Sequence, residues 1–161
     1  MTEVALDAAS PQAPSVIRQL LDKLGVAYKE VPEHPSLPAA SRVQAVLLDD
    51  EIGALLVLFP HTQLLDLNRL AELTGRKLHA VPLTRLNQML DKHKLKALPA
   101  LPALTSSPCL YDERLLDAEA LLIQSGERGL LLQIERGAFK RMLSKASAGK
   151  FGQTVADIQP N

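Results

Sequence analysis

Tryptophan is absent from this 161-residue chain, and three Phe and two Tyr are its only other aromatic rings apart from histidine. Proteins that read single strands stack bases on several aromatic faces, so that class is disfavoured. Cysteine is nearly absent too: Cys109 stands alone and excludes an intramolecular disulfide. The opening MTEVALDAASPQAP carries acidic residues where a secretory signal needs a basic start and an apolar run, so the expected compartment is the cytosol. No long hydrophobic run is present. ALLVLF at residues 54–59 falls far short of the roughly 18 to 20 residues that cross a bilayer. Nor is there an excess of one charge: 18 Lys plus Arg balance 18 Asp plus Glu. A neutral chain has no general attraction for DNA or for a membrane, so neither is expected as a partner, and any RNA contact must be local.

Signature motifs are missing as well. Without a Walker loop, GxSxG, GxGxxG or HExxH, the readings of nucleotide cleavage, α/β-hydrolase, dinucleotide binding and zincin lose their support. His34, His61, His79 and His93 lie far apart with no ligand-spaced partner, so no metal and no cofactor is expected. Cys109, on an apolar stretch, reads as a small core residue rather than a nucleophile.

What is present is a chain 47% hydrophobic and 22% charged, enough for one core at this length. Residues 1–13 and 147–161 read as tails or linker, leaving 14–146 as the domain. PSVIRQLLDKLG predicts a helix capped by Ser15 and ended by Gly25; AYKEV predicts a short strand before the Pro-rich loop PEHPSLPAAS. RVQAVLLD and ALLVLFP predict a buried hairpin across Asp50-Glu51-Ile52-Gly53. Asp66 should cap the helix LNRLAELTG, KLHAV should be a strand, and Thr84 should cap LTRLNQMLDKHK. Pro99, Pro102 and Pro108 keep LKALPALPALTSSP irregular. CLYDERLL, EALLIQ and LLLQIE supply strands with SGERG as a turn, and Phe139, Met142 and Leu143 mark a closing helix. The order predicts an α/β, α+β-like single domain with a mixed, largely antiparallel sheet or partial barrel and about four helices.

The two irregular loops carry the candidate site. His34 in the first, and Thr105, Ser106 and Ser107 in the second, could line a small polar pocket, although each also suits an exposed turn. Lys92, His93, Lys94 and Lys96 form one basic cluster, and Arg136, Lys140, Arg141 and Lys145 another. Either could hold phosphates of a folded RNA, or simply be a solvated face beside a helix C-terminus.

In their order, several segments resemble one family: LDKLGVAYKEV, EHP at Glu33 to Pro35, VQAVLLDDEIGALLVLFP, LLDLNRLAELTGRKLHAVP, LYDERLL and LIQSGERGLLLQIERGAF. The chain is similar over residues 15–143 to the YbaK and ProX family of aminoacyl-tRNA editing domains, which also occur inserted in prolyl-tRNA synthetases. The resemblance implies hydrolysis of the ester of a mischarged aminoacyl-tRNA, with the tRNA acceptor end as partner. It implies a strand Lys that holds the terminal nucleotide and a GxxxP loop whose backbone surrounds the ester. Here Ala45 stands where the Lys is expected, and Leu98 where the loop Gly is expected, while Pro102 keeps the final Pro. Losing a charged hydrogen bond to phosphate is worth about 1.5 to 3 kcal/mol, or roughly ten- to a hundredfold. Arg42 could compensate if it faces inward. The resemblance therefore points to an editing deacylase with weakened or lost catalysis, its substrate held by His34, Arg42, Thr105, Ser106 and Asp112, the last orienting the amino group or a water. The alternative is a non-catalytic module of the same fold that binds a ligand, an RNA end, a protein partner or a second copy of itself. Domains of this family also precede signalling domains of the HDOD type.

Overall fold

The computed structural model describes residues 12–154. Ile17 and Leu21, fully buried on one face, form α1 (Ser15–Leu24), and Gly25 ends it in the left-handed conformation at φ 69°. Pro14, rather than Ser15, takes the N-cap; its carbonyl accepts from the N–H groups of Ile17 and Arg18. Then come β1 (Lys29–Pro32), the hairpin strands β2 (Val43–Asp49) and β3 (Ala54–Pro60), and β4 (Gln63–Leu65). The hairpin turn is closed by the Asp50 carboxylate, which accepts from the N–H groups of Ile52 and Gly53 and from the Arg76 guanidinium. Helix α2 (Leu67–Thr74) follows its expected cap, with Asp66 accepting from the N–H groups of Asn68 and Arg69 at 3.0 and 3.1 Å. Asp66→Ala should cost about 1 kcal/mol in urea unfolding, because the first turn then has two unmatched donors.

After β5 (His79–Ala80), helix α3 (Leu83–Lys92) begins at Pro82 and not at Thr84, which sits one residue inside it. The Pro-rich segment is irregular up to a single helical turn, α4 (Pro102–Thr105), where Pro102 occupies a first-turn position that needs no N–H donor. Strand β6 (Cys109–Asp112) is shorter than expected, since Asp112 accepts from the Arg114 N–H and starts a 3₁₀ turn over Glu113–Asp117. Strands β7 (Ala120–Gln124) and β8 (Leu130–Glu135) then lead into α5 (Arg136–Met142).

The expected C-terminal tail is corrected as far as residue 154, because β9 (Ser147–Gly149) and β10 (Gly152–Thr154) belong to sheets. Phe151 between them is fully buried, and one aromatic ring supplies the burial that the polar sequence around it conceals. A Cβ at residue 152 would run into Gln63 Oε1 and come within 3.2 Å of the Asp112 carboxylate, so glycine there lets the Gln63 side chain keep its place. At the other end Ala13 is buried and its N–H donates to Glu30 Oε2 at 2.6 Å, so it belongs to the domain and not to a tail. Residues 1–11 and 155–161 lie outside the described residues.

The central sheet has the order β5-β2-β3-β6-β9, antiparallel from β5 to β3 and parallel from β3 to β9. A second antiparallel sheet is β1-β8-β7, and β4 pairs with β10. Both faces of the central sheet are covered. Leu55, Val57 and Phe59 pack with Leu70 of α2 and with Phe151, while Leu56 and Leu58 share a core with α1, α5 and the second sheet. A strand buried on two faces reads as a continuous apolar run, which is why ALLVLF shows no alternation. The result is a mixed α/β single domain, rich in antiparallel pairs. An isolated parallel bridge between Arg42 and Leu122 joins the two larger sheets where β2 begins.

Candidate functional site

That bridge sits at the wall of a cavity of about 310 Å³. Arg42 and Ala45 reach it from the start of β2, Leu122 and Gln124 from β7, and Ala97 and Leu98 from the irregular segment. Ala45 and Leu98, far apart in sequence, thus line the same space. The Arg42 guanidinium, half-buried, donates to Glu33 Oε1 at 3.0 Å, and Glu33 also lines the cavity. At the rim His61 Nδ1 lies 3.0 Å from Gln44 Oε1. Leu98 has ordinary backbone geometry: among the described residues only Lys94 and Ser106 are non-glycine positions with positive φ. The segment therefore follows a path that needs no glycine at 98.

The remaining expected site residues go elsewhere. His34 is exposed and lines no cavity described here; its Nδ1 accepts from the Ser36 N–H at 3.0 Å, so the ring is a turn cap. Thr105 donates to the Pro102 carbonyl and faces a different cleft, of about 640 Å³, bordered by Arg85, Met89 and Lys92 of α3. Ser106, at φ 53°, lines that cleft and also a third one, of about 610 Å³, which Pro102 lines too. The polar pocket of His34 with Thr105 and Ser106 does not form.

Asp112 is likewise not in the cavity. Its carboxylate is fully buried and accepts five hydrogen bonds: from the Arg114 N–H, Nε and Nη2, and from the N–H groups of Phe151 and Gly152, at 2.7 to 3.1 Å. Burial alone would raise its pKa, but the Arg114 guanidinium and the backbone donors of Gly152, Arg114 and Phe151 hold it below the ordinary 3.8. An acceptor so occupied has nothing left for an amino group. Asp112 is a clamp between β6 and the C-terminal strands. Cys109 is buried, and desolvation pushes its thiol up to about 12, which removes thiolate chemistry near neutral pH. Among the described residues no group of three or more His, Cys, Asp or Glu is placed to hold a metal ion, and no helix is long and apolar enough to cross a membrane.

Gln44, His61 and Gln124 are cavity residues that the sequence reading does not single out. The signal for the first two lies in the hairpin register: Gln44 pairs with Phe59, and the His61 N–H donates to the Arg42 carbonyl. For Gln124 no local signal exists, since the second sheet brings it over.

A family model described as the aminoacyl-tRNA editing domain matches residues 24–142. No curated protein matches the chain. Among solved structures, a candidate signal transduction protein from Marinobacter aquaeolei VT8 is 28% identical over 93% of this chain, with a TM-score of 0.84. The chain spans only 33% of that protein. A candidate trans-editing enzyme for prolyl tRNA synthetase is 17% identical with a TM-score of 0.67, and the match covers 88% of this chain and 99% of that one. The hypothetical protein APE2540 is 14% identical with a TM-score of 0.70, covering 85% and 99%. At those identities the last two share the fold.

Proposed function

The chain belongs to the aminoacyl-tRNA editing domain family, and from that premise we propose that it takes the aminoacylated 3′ end of a tRNA into the cavity of Arg42, Ala45 and Leu98 and hydrolyses the ester weakly or not at all. The observation that carries this reading is that the two departures from the family pattern, Ala45 and Leu98, line one cavity. Ester hydrolysis needs a water oxygen to bond to the carbonyl carbon while the bond to the ribose oxygen breaks and that oxygen takes a proton. Ala45 brings neither charge nor donor to this step. The cation that remains is Arg42; one of its N–H groups is committed to Glu33, and the others can meet a phosphate or ribose oxygen of the terminal nucleotide.

Filter binding of alanyl-tRNA and cysteinyl-tRNA for proline tests this. Arg42→Gln should weaken binding about tenfold, the value of one charged hydrogen bond, with folding intact because the pair with Glu33 is solvent-accessible. Undiminished binding would remove Arg42 from the site, and no binding by the natural chain would sink the reading.

A second reading is a non-catalytic binding module joined to a signalling domain. It draws on the 28% identity with one third of the Marinobacter protein. Single-turnover deacylation bears on both: cleavage above the uncatalysed rate, however slow, favours a surviving editing enzyme, and binding without cleavage favours the module.

A further inference from the structure

The cleft of about 610 Å³ lies between the C-terminal end of α1, the segment around α4 and the C-terminal end of α5. Its polar lining consists of Arg141 and Lys145 with the hydroxyls of Ser106, Ser107 and Ser144, and it includes no carboxylate. Arg141 and Lys145 are exposed, and neither side chain makes a hydrogen bond or ion pair with the described residues. Both arginines of the other two clefts are held, Arg42 by Glu33 at 3.0 Å and Arg85 by Asp49 at 2.9 Å, while Lys92 in the cleft of Arg85 has no ion pair among the described residues. The apolar part of the lining includes Leu24, still 44% exposed, with Leu101 and Met142. A cation in the last turn of a helix complements its dipole, which accounts for Arg141 on α5, while Lys145 lies beyond the end of that helix. The dipole does not account for a concave, acid-free cleft of ligand size beneath them.

We propose that this cleft binds the phosphate of a nucleotide, with Arg141 and Lys145 on the phosphate oxygens, the serine hydroxyls as further donors, and the base or sugar against Leu24, Leu101 and Met142. The nucleotide is either free or the end of an RNA strand; the recognition chemistry is the same. The site is distinct from the cavity of Ala45 and Leu98, but one chain segment walls both. Ala97 and Leu98 face the editing cavity, Leu101 to Ala103 face the nucleotide cleft, and buried Pro99 and Ala100 connect them. A nucleotide seated in the cleft therefore bears on the loop of the editing cavity, and the inference holds whether or not the ester is cleaved.

Isothermal titration of the full chain with adenosine 5′-monophosphate, and separately with a short RNA hairpin bearing a single-stranded 3′ end, tests the site. Arg141→Gln and Lys145→Gln should each weaken binding about tenfold and the pair about a hundredfold. Lys77→Gln, on a surface away from the cleft, should change nothing. Loss in the mononucleotide arm assigns the site to a free nucleotide, and loss in the hairpin arm alone assigns it to an RNA end. Arg42→Gln removes the cation of the editing cavity alone, so the Arg141→Gln, Lys145→Gln pair is repeated in that background: a further loss as large as in the parent assigns the binding to this cleft whatever becomes of the editing reading, and no further loss overturns the proposal. If neither probe binds, or the double variant binds both as the parent does while melting at the same temperature, the proposal is wrong.

Discussion

Ala45→Lys combined with Leu98→Gly should accelerate deacylation of alanyl- or cysteinyl-tRNA for proline about ten- to a hundredfold over the natural chain. The expectation comes from placement. Ala45 pairs with Leu58 across the hairpin and lines the cavity from a rigid strand, so a Lys there could lay its methylene stem on the apolar wall and bring its ammonium to the terminal nucleotide. Leu98→Gly removes a half-buried side chain that packs on the main core, at a cost of about 2 to 3 kcal/mol. A domain with about 5 to 15 kcal/mol of stability survives that, and urea unfolding of the variant verifies it. Because Leu98 is not in a left-handed conformation, glycine there frees the backbone without forcing it into another path. Most of the gain should therefore appear already in Ala45→Lys alone. Turnover by the natural chain at the level of the double variant would show that Arg42 or another group replaces the Lys. Silence from every variant would leave the binding module as the function.

How far the site could be read from sequence follows from where its parts lie. Ala45, Leu98 and Arg42 converge because two of them sit at the start of one strand and the third on a proline-restricted segment whose position the family order defines. Thr105, Ser106 and His34 share only the irregularity of their loops. Irregular loops can leave a sheet on different sides, and these do: α4 turns Thr105 toward α3, and Ser36 ties the His34 ring to its own loop. Asp112 enters the expected site only with the family resemblance, and nothing in its local sequence signals its burial. The partners that consume it, Phe151 and Gly152, come from a segment read as linker.

The fold was legible where periodicity, caps and turns agree. The β2–β3 hairpin, the Asp66 cap, and the left-handed Gly25 and Gly75 each rest on a local rule that nothing distant overrides. The proline caps were missed because Pro14 and Pro82 start their helices without a side-chain bond, leaving the better cappers Ser15 and Thr84 one or two residues inside. The closing strands were missed because three-residue strands carry too few side chains to show alternation, and their stability comes from long-range pairing of β9 with β6 and β10 with β4.

Asp112→Asn should destabilise the domain by about 3 to 5 kcal/mol while leaving ligand affinity of the folded protein unchanged. A carboxamide has one acceptor oxygen. If its NH₂ replaces Oδ1, it faces the Arg114 N–H and Nε; if it replaces Oδ2, it faces Arg114 Nη2 and the N–H groups of Phe151 and Gly152. Either orientation sets donors against donors in a fully buried site, and it removes the Asp112 charge from the pair with the Arg114 guanidinium, a loss in the range measured for broken buried pairs. The sign of the pH dependence adds a second test. A carboxylate whose folded pKa lies below its unfolded value contributes stability above the unfolded value, near 3.8, and loses that contribution as pH falls through the folded value. The gap between the parent and Asp112→Asn should therefore be full at neutral pH and narrow only below the ordinary Asp range. Urea unfolding between pH 7 and pH 3 measures it. A variant as stable as the parent but defective in binding aminoacyl-tRNA would return Asp112 to the substrate site, and a gap that widened on acidification would contradict the clamp.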